Sequence, residues 1–246
     1  MKEYIHVLDW SLITKEINNT EKKPNKGILF EDLVEKLISA MFPSEVWKRT
    51  SLSYDGKKDF VYPKNTYLPE QKWAECKNYN NNLSINVISP TLIMGSINNI
   101  EEIYFFSYSQ LNDNAIDAIM RFSKSTNKKI SIFDGALLES LICKYHNING
   151  IKDFFPNTDF EEVYSIICSS KFRIISCIKS TSEQNISNNH IFQLGEPFNL
   201  SVIIQNLSIH NERFKLEISN NRKNSLSFNN RTFENSISFG EIKEIK

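Results

Sequence analysis

Glycine is scarce in this chain, with seven in 246 residues, and none fall into GxGxxG or GxxxxGK[ST]. Loops that cradle a nucleotide's phosphates need such runs, so a cofactor site of those types is not supported. Cysteine is scarcer still. Cys76, Cys143, Cys168 and Cys177 form no CxxC pair, and none has a histidine at ligand spacing. That argues against zinc and against a disulfide framework, and leaves buried reduced thiols. No apolar run reaches the roughly 18 residues that a membrane-spanning helix requires. The opening MKEYIHVLDW has no basic stretch ahead of an apolar one, so no signal peptide is read and a cytoplasmic location is expected. Net charge is absent too, with 29 basic residues against 29 acidic. The balance removes any global electrostatic case for nucleic-acid binding, while local patches stay open.

What remains is the composition of a soluble globular protein, 40% hydrophobic and 24% charged. The length suits one large domain or two small ones. Residues 1–25 read as a helical extension, with Val7, Leu8, Trp10, Leu12 and Ile13 as its apolar contacts, followed by the polar break NNTEKKPNKG. From Gly27 to Phe42, Phe30, Leu33, Val34, Leu37, Ile38 and Met41 recur at three- and four-residue steps. That spacing predicts a helix, which Pro43 ends.

Three strands are predicted next, over 45–54, 58–62 and 72–77, with Asp55-Gly56 as the turn between the first two. Ser89-Pro90 reads as a cap and first-turn proline opening a helix to Ile97. A buried strand over 103–107, a helix over 113–125, a strand over 129–133 and a helix over 136–145 follow. This order implies a mixed sheet covered by helices. After Lys171 helical periodicity stops. Residues 172–179, 198–205, 214–219 and 225–228 are short β-type runs between Asn/Ser-rich turns. They imply a small antiparallel β domain of immunoglobulin-like type over 171–246, short for a complete sandwich.

The chemistry concentrates between Asp55 and Lys77, in YDGKKDF and WAECKNY. Strand alternation puts Trp73, Glu75 and Lys77 on one face and Ala74 and Cys76 on the other. The small apolar pair suits the core, so the charged pair is expected to point away from it. A hairpin would bring Asp59 beside Glu75. Two carboxylates converging on one point suit Mg²⁺, with Mn²⁺ as a substitute and the Cys76 carbonyl as a third ligand. Lys77 would polarise a water, and such a site suits attack on a phosphodiester.

These residues resemble the PD-(D/E)xK nuclease superfamily, in particular the Mrr-like restriction endonucleases. Gly27-Ile28-Leu29-Phe30-Glu31 is similar to the GxxFE start of the family's first helix. Asp55-Gly56-Lys57-Lys58-Asp59 resembles the DGxxD segment that delivers the metal-binding aspartate. Glu75-Cys76-Lys77 resembles the ExK half-motif. Ile130-Ser131-Ile132-Phe133-Asp134-Gly135, with Leu137, Leu138 and Leu141, resembles the closing strand and helix. Lys58 stands where the motif has proline.

The resemblance spans roughly 26–145 and implies a restriction-endonuclease-like αβββαβ core within a domain over 26–170. It implies magnesium-dependent DNA endonuclease activity, a phosphodiester hydrolase with Asp59, Glu75 and Lys77 as its catalytic set. Glu31 is then an accessory carboxylate, or else a solvated partner of the helix dipole. Asp55 and Asp134 read as turn or cap residues. Lys48, Arg49, Lys57 and Lys58, and separately Lys124, Lys128 and Lys129, are candidate phosphate contacts or solvated faces.

The implied role is the effector of a bacterial restriction or anti-phage defence system, with the β domain meeting a sensor or NTPase partner. A homo-oligomer would supply two active sites for two strands. No membrane partner is expected. A non-catalytic module of the same fold that binds nucleic acid or protein is the alternative, and RNA or branched DNA stay open as substrates.

Overall fold

In the computed structural model of this chain, the described residues are 6–10, 27–50, 58–63, 67–79, 82–167, 172–180, 198–207, 210–217, 232–238 and 241–245. The chain divides into two compact units, Met1–Ser169 and Ser170–Lys246.

The first unit is a mixed α/β layer structure. Helix α1 (Ile28–Met41) is followed by β1 (Lys48–Arg49), β2 (Phe60–Tyr62) and β3 (Lys72–Lys77). Then come α2 (Ile85–Ile97), β4 (Glu102–Ser107), α3 (Asp113–Thr126), β5 (Lys129–Asp134) and α4 (Gly135–Tyr145). This is the order expected from the sequence. A 3₁₀ turn (Ile151–Phe154) and α5 (Phe160–Ile167) follow, neither of which was expected.

The sheet order is β1-β2-β3-β4-β5. The first two pairings are antiparallel and the last two parallel, with Lys72, Glu102 and Lys129 in step at one end and Lys77, Ser107 and Asp134 at the other.

Local sequence explains most of these elements. Helix α1 buries the predicted stripe of Phe30, Leu33, Val34, Leu37 and Ile38. Helix α3 is capped by the Asn112 side chain, which accepts the Ala115 N–H at 2.8 Å. It closes on Asn127, whose N–H bonds to the Ser123 carbonyl and whose left-handed φ of 54° lets the next N–H, that of Lys128, return to the same carbonyl at 3.3 Å. Helix α2 buries Ile88, Thr91, Leu92 and Gly95. Gly95 sits over β4, where a Cβ would come within 2.6 Å of Ile103 Cδ1, so the missing side chain sets how closely helix and sheet approach.

Three expectations are corrected. Helix α2 opens at Ile85 behind Ser84, and Pro90 lies inside it instead of at its first turn. Tertiary contacts set the earlier start, because the Leu83 N–H bonds to the Gln110 carbonyl and Leu83 bridges Leu111. The first strand shrinks to Lys48–Arg49, and residues 51–57, the Asp55-Gly56 turn included, lie outside the described residues. The helix expected at the N-terminus is also not seen in residues 6–10, which run through bends and a turn. Residues 11–25 of that extension lie outside the described set.

The second unit is antiparallel β. Strands β6 (Phe172–Ser180), β7 (Phe198–Asn206) and β10 (Ile242–Ile245) form one sheet in the order β10-β7-β6, and β8 (Glu212–Glu217) pairs with β9 (Thr232–Ile237). Val202, Ile204 and Ile237 form its core, with Phe172, Phe214, Leu216 and Ile245 packed against them. The buried Asn206 side chain donates to the His210 and Ile237 carbonyls at 2.7 and 3.1 Å. The strand expected over 225–228 lies outside the described residues.

Candidate active site

Strand β3 carries the ExK segment and occupies the middle of the five-stranded sheet. A central strand in a helix-covered sheet is buried on both faces, and that overturns the expectation for Glu75. Trp73, Ala74 and Glu75 are all buried, Glu75 with 3% of its surface exposed. Its face is covered by α2 instead of pointing away from the core. Glu75 is stabilised there by partners on both oxygens. Lys77 Nζ donates to Oε1, and the Thr91 hydroxyl donates to Oε2. A buried carboxylate needs such pairing.

Asp59 lies directly before β2 and is held at the same point. Its backbone N–H bonds to the Ala74 carbonyl at 2.9 Å, and its Oδ2 accepts the Cys76 N–H at 2.6 Å. These two bonds bracket Glu75 from both sides in sequence. The structure therefore brings Asp59, Glu75 and Lys77 into one neighbourhood.

Glu31 is held at the sheet edge by Arg49 of β1, which donates to its Oε2 from Nε at 3.1 Å and from Nη2 at 2.6 Å. Arg49 also donates to Asp32. Burial works against the Arg49 charge, but the hydrogen bonds to Asp32 and Glu31 outweigh it and raise the guanidinium above its ordinary value. Arg49 is thus engaged by helix α1 and not simply a solvated phosphate contact.

Cys76 reports on the whole cluster. Burial pushes its thiol well above the usual range, and the negative charges of Asp59, Glu31 and Glu75 push it further, against a lowering by Lys77. A neutral thiol is a poor nucleophile. Native protein at pH 8 is expected to alkylate at Cys76 more than about tenfold slower than protein in denaturant, read by mass spectrometry of the Cys76 peptide. Equal rates would contradict the burial that raises this thiol.

The hard oxygen donors of Asp59 and Glu75 match Mg²⁺ in type. Among the described residues, no three His, Cys, Asp or Glu side chains form a ready-made metal cage.

The lysine groups fall apart spatially. Lys58 pairs with Glu70 at 2.5 Å and lies 4.4 Å over the Trp73 ring. Lys128 donates to the Ile100 carbonyl at 2.6 Å, and Lys129 pairs with Glu102 at 3.2 Å. Lys129 therefore stands at the opposite rim of the sheet from Lys77, offset by about 17 Å along the strands and by two strands across them. Lys48 and Lys124 are exposed, and Lys57 and Asp55 lie outside the described residues. Asp134 occupies the cap position of α4, yet its Oδ2 accepts the Leu111 N–H at 2.6 Å.

Two groups of consequence went unread in the sequence. Thr91 is one. The other is Glu139 on α4, fully buried, which accepts Val7 N–H at 3.1 Å, Leu8 N–H at 3.3 Å and Trp10 Nε1–H at 2.7 Å, and contacts His6 Nδ1 at 3.0 Å. Its signal was a charge amid Leu137, Leu138, Leu141 and Ile142 on a helix apolar all round. No protein-family model matches the chain, and no curated protein matches it.

Proposed function

We propose that the first unit is a Mg²⁺-dependent DNA endonuclease of the PD-(D/E)xK, Mrr-like kind, acting as the effector of a bacterial restriction or anti-phage defence system. The observation that supports the reading is the pairing of Asp59 with β3, its N–H on the Ala74 carbonyl and its Oδ2 on the Cys76 N–H, one residue to either side of Glu75.

Asp59 and Glu75, with the Cys76 carbonyl, are the groups that would hold the ion. When bound, the ion neutralises phosphate charge and makes its water a stronger nucleophile near neutral pH. The protein's own groups supply the rest. Glu75 fixes the Lys77 ammonium, which sets a positive charge where negative charge grows on the phosphate oxygens. Water adds to phosphorus, the P–O ester bond breaks, and the leaving oxygen takes up a proton. Glu31, drawn to the sheet edge by Arg49, is the accessory carboxylate in this reading.

The β unit, two sheets around a shared core, serves in this reading as an immunoglobulin-like module for a sensor or NTPase partner, and a homo-oligomer supplies one site per strand. The test is direct. Purified full-length chain is expected to nick or cut duplex DNA with Mg²⁺ or Mn²⁺ and to stop on chelation with EDTA. Cleavage that persists in EDTA would refute the metal-dependent reading.

A non-catalytic nucleic-acid- or protein-binding module is the second reading. It is favoured by the engagement of Asp59, Glu75 and Glu31 with groups of the protein itself. Titration calorimetry separates the two, because only the nuclease reading expects Mn²⁺ uptake.

A further inference from the structure

We infer that Thr91 is a positioning residue of this site, one that selects which oxygen of Glu75 is offered to the ion. The inference rests on the nuclease reading above. Glu75 has two carboxylate oxygens, and both are committed in different ways. Oε1 takes the ammonium of Lys77, and Oε2 takes the hydroxyl of Thr91. Lys77 is a long, flexible side chain near the strand end and 17% exposed. Thr91 is 1% exposed on the buried stripe of α2. The two partners therefore differ in mobility. Lys77 has a long unbranched chain that reaches solvent, whereas a β-branched residue locked between helix and sheet holds its rotamer.

The close approach of α2 to the sheet has the same origin. Thr91 and Gly95 are one turn apart on the same helix face. Gly95 has no side chain where Ile103 Cδ1 comes close, so α2 lies low over the sheet at this point. That low seat carries the Thr91 hydroxyl down to Glu75. With Oε2 held by a fixed donor, Glu75 cannot rotate to present either oxygen at random. Oε1 is the one that turns toward Lys77 and the strand end, and its remaining lone pair is the one offered to a cation.

Groups that orient a metal-binding carboxylate set its affinity for the ion, typically by 10–100-fold. Full-length wild type, Thr91→Val and Thr91→Ser are compared by calorimetric titration with Mn²⁺ alone, alongside circular dichroism of each. Thr91→Val keeps the shape and loses the hydroxyl, so Mn²⁺ binding is expected to weaken by on the order of 10–100-fold. Thr91→Ser keeps the hydroxyl and is expected to restore most of it. In DNA cleavage, the Mn²⁺ concentration for half-maximal rate is expected to rise in Thr91→Val more than the rate at saturating Mn²⁺ falls.

Where Thr91→Val does not fold, Thr91→Ala replaces it. Wild-type affinity in a folded Val or Ala variant overturns the role of Thr91 and leaves the site itself standing. A folded Ser variant as weak as Val also overturns it, because the hydroxyl would not be what matters. Absence of Mn²⁺ uptake by wild type overturns the metal site, and the role of Thr91 with it.

Discussion

Lys77→Ala is expected to abolish DNA cleavage, with a loss on the order of 10²–10³-fold or more, while Mn²⁺ uptake persists. The side chain places an ammonium on Glu75, where its charge would meet the phosphate oxygens in the transition state. The substitution also removes a partner from a carboxylate that is only 3% exposed. Breaking a buried ion pair from one side costs about 3–5 kcal/mol, so Lys77→Ala is expected to be less stable as well as inactive.

A second substitution separates the two effects. Glu75→Gln on the Lys77→Ala background removes the stranded charge and is expected to recover much of the stability with no recovery of cleavage. Denaturant midpoints and a nicking assay on the same preparations read both quantities. Cleavage by folded Lys77→Ala at the wild-type rate would end the nuclease proposal.

Glu139→Ala is expected to be the most destabilising single change outside the site, by about 3–5 kcal/mol. Glu139 is fully buried in α4 and takes the backbone N–H groups of Val7 and Leu8 and the indole N–H of Trp10, with His6 beside it. Removing it strands those donors and loosens the seat of Trp10, whose ring packs edge-on against Tyr108 and Phe155 at 5.0 and 5.4 Å. Glu139→Gln keeps acceptor oxygen and is expected to cost less, about 1–3 kcal/mol. Limited proteolysis is the second readout. Cleavage is expected to move into the first 26 residues in Glu139→Ala, ahead of any cut in the α/β unit. Unchanged protection of that segment would show that Glu139 does not hold it.

Local pattern was enough for the α/β order. The stripe of α1, the continuous run of β4 and the bounds of β3 follow from spacing and alternation, which act between near neighbours. The placing of Asp59 opposite Glu75 was also readable, because strands adjacent in sequence usually pair, here β2 with β3.

What escaped the sequence depends on distant partners. Glu75 looked outward-facing because alternation says which residues share a face but not what covers that face. The covering helix begins ten residues later, and its decisive group is an ordinary threonine. Leu8 and Trp10 looked helical because they are apolar and closely spaced. Their burial is decided by a carboxylate more than 120 positions away. Pro90 looked like a helix start because proline is well placed there, yet the pairing of Leu83 with Leu111 begins the helix a turn and a half earlier.

The in-step alignment of β3, β4 and β5 has a consequence for how this protein can vary. Alternate positions of β3 address opposite layers, so the site is written in parity. Lengthening a connection between strands leaves Glu75 and Lys77 where they are. Losing or gaining a single residue inside β3 would hand their places to Ala74 and Cys76, moving both charges to the other layer and away from the threonine. Tolerance to insertion should therefore be generous in the loops and nearly nil across six consecutive residues, even though the composition of those six would barely change.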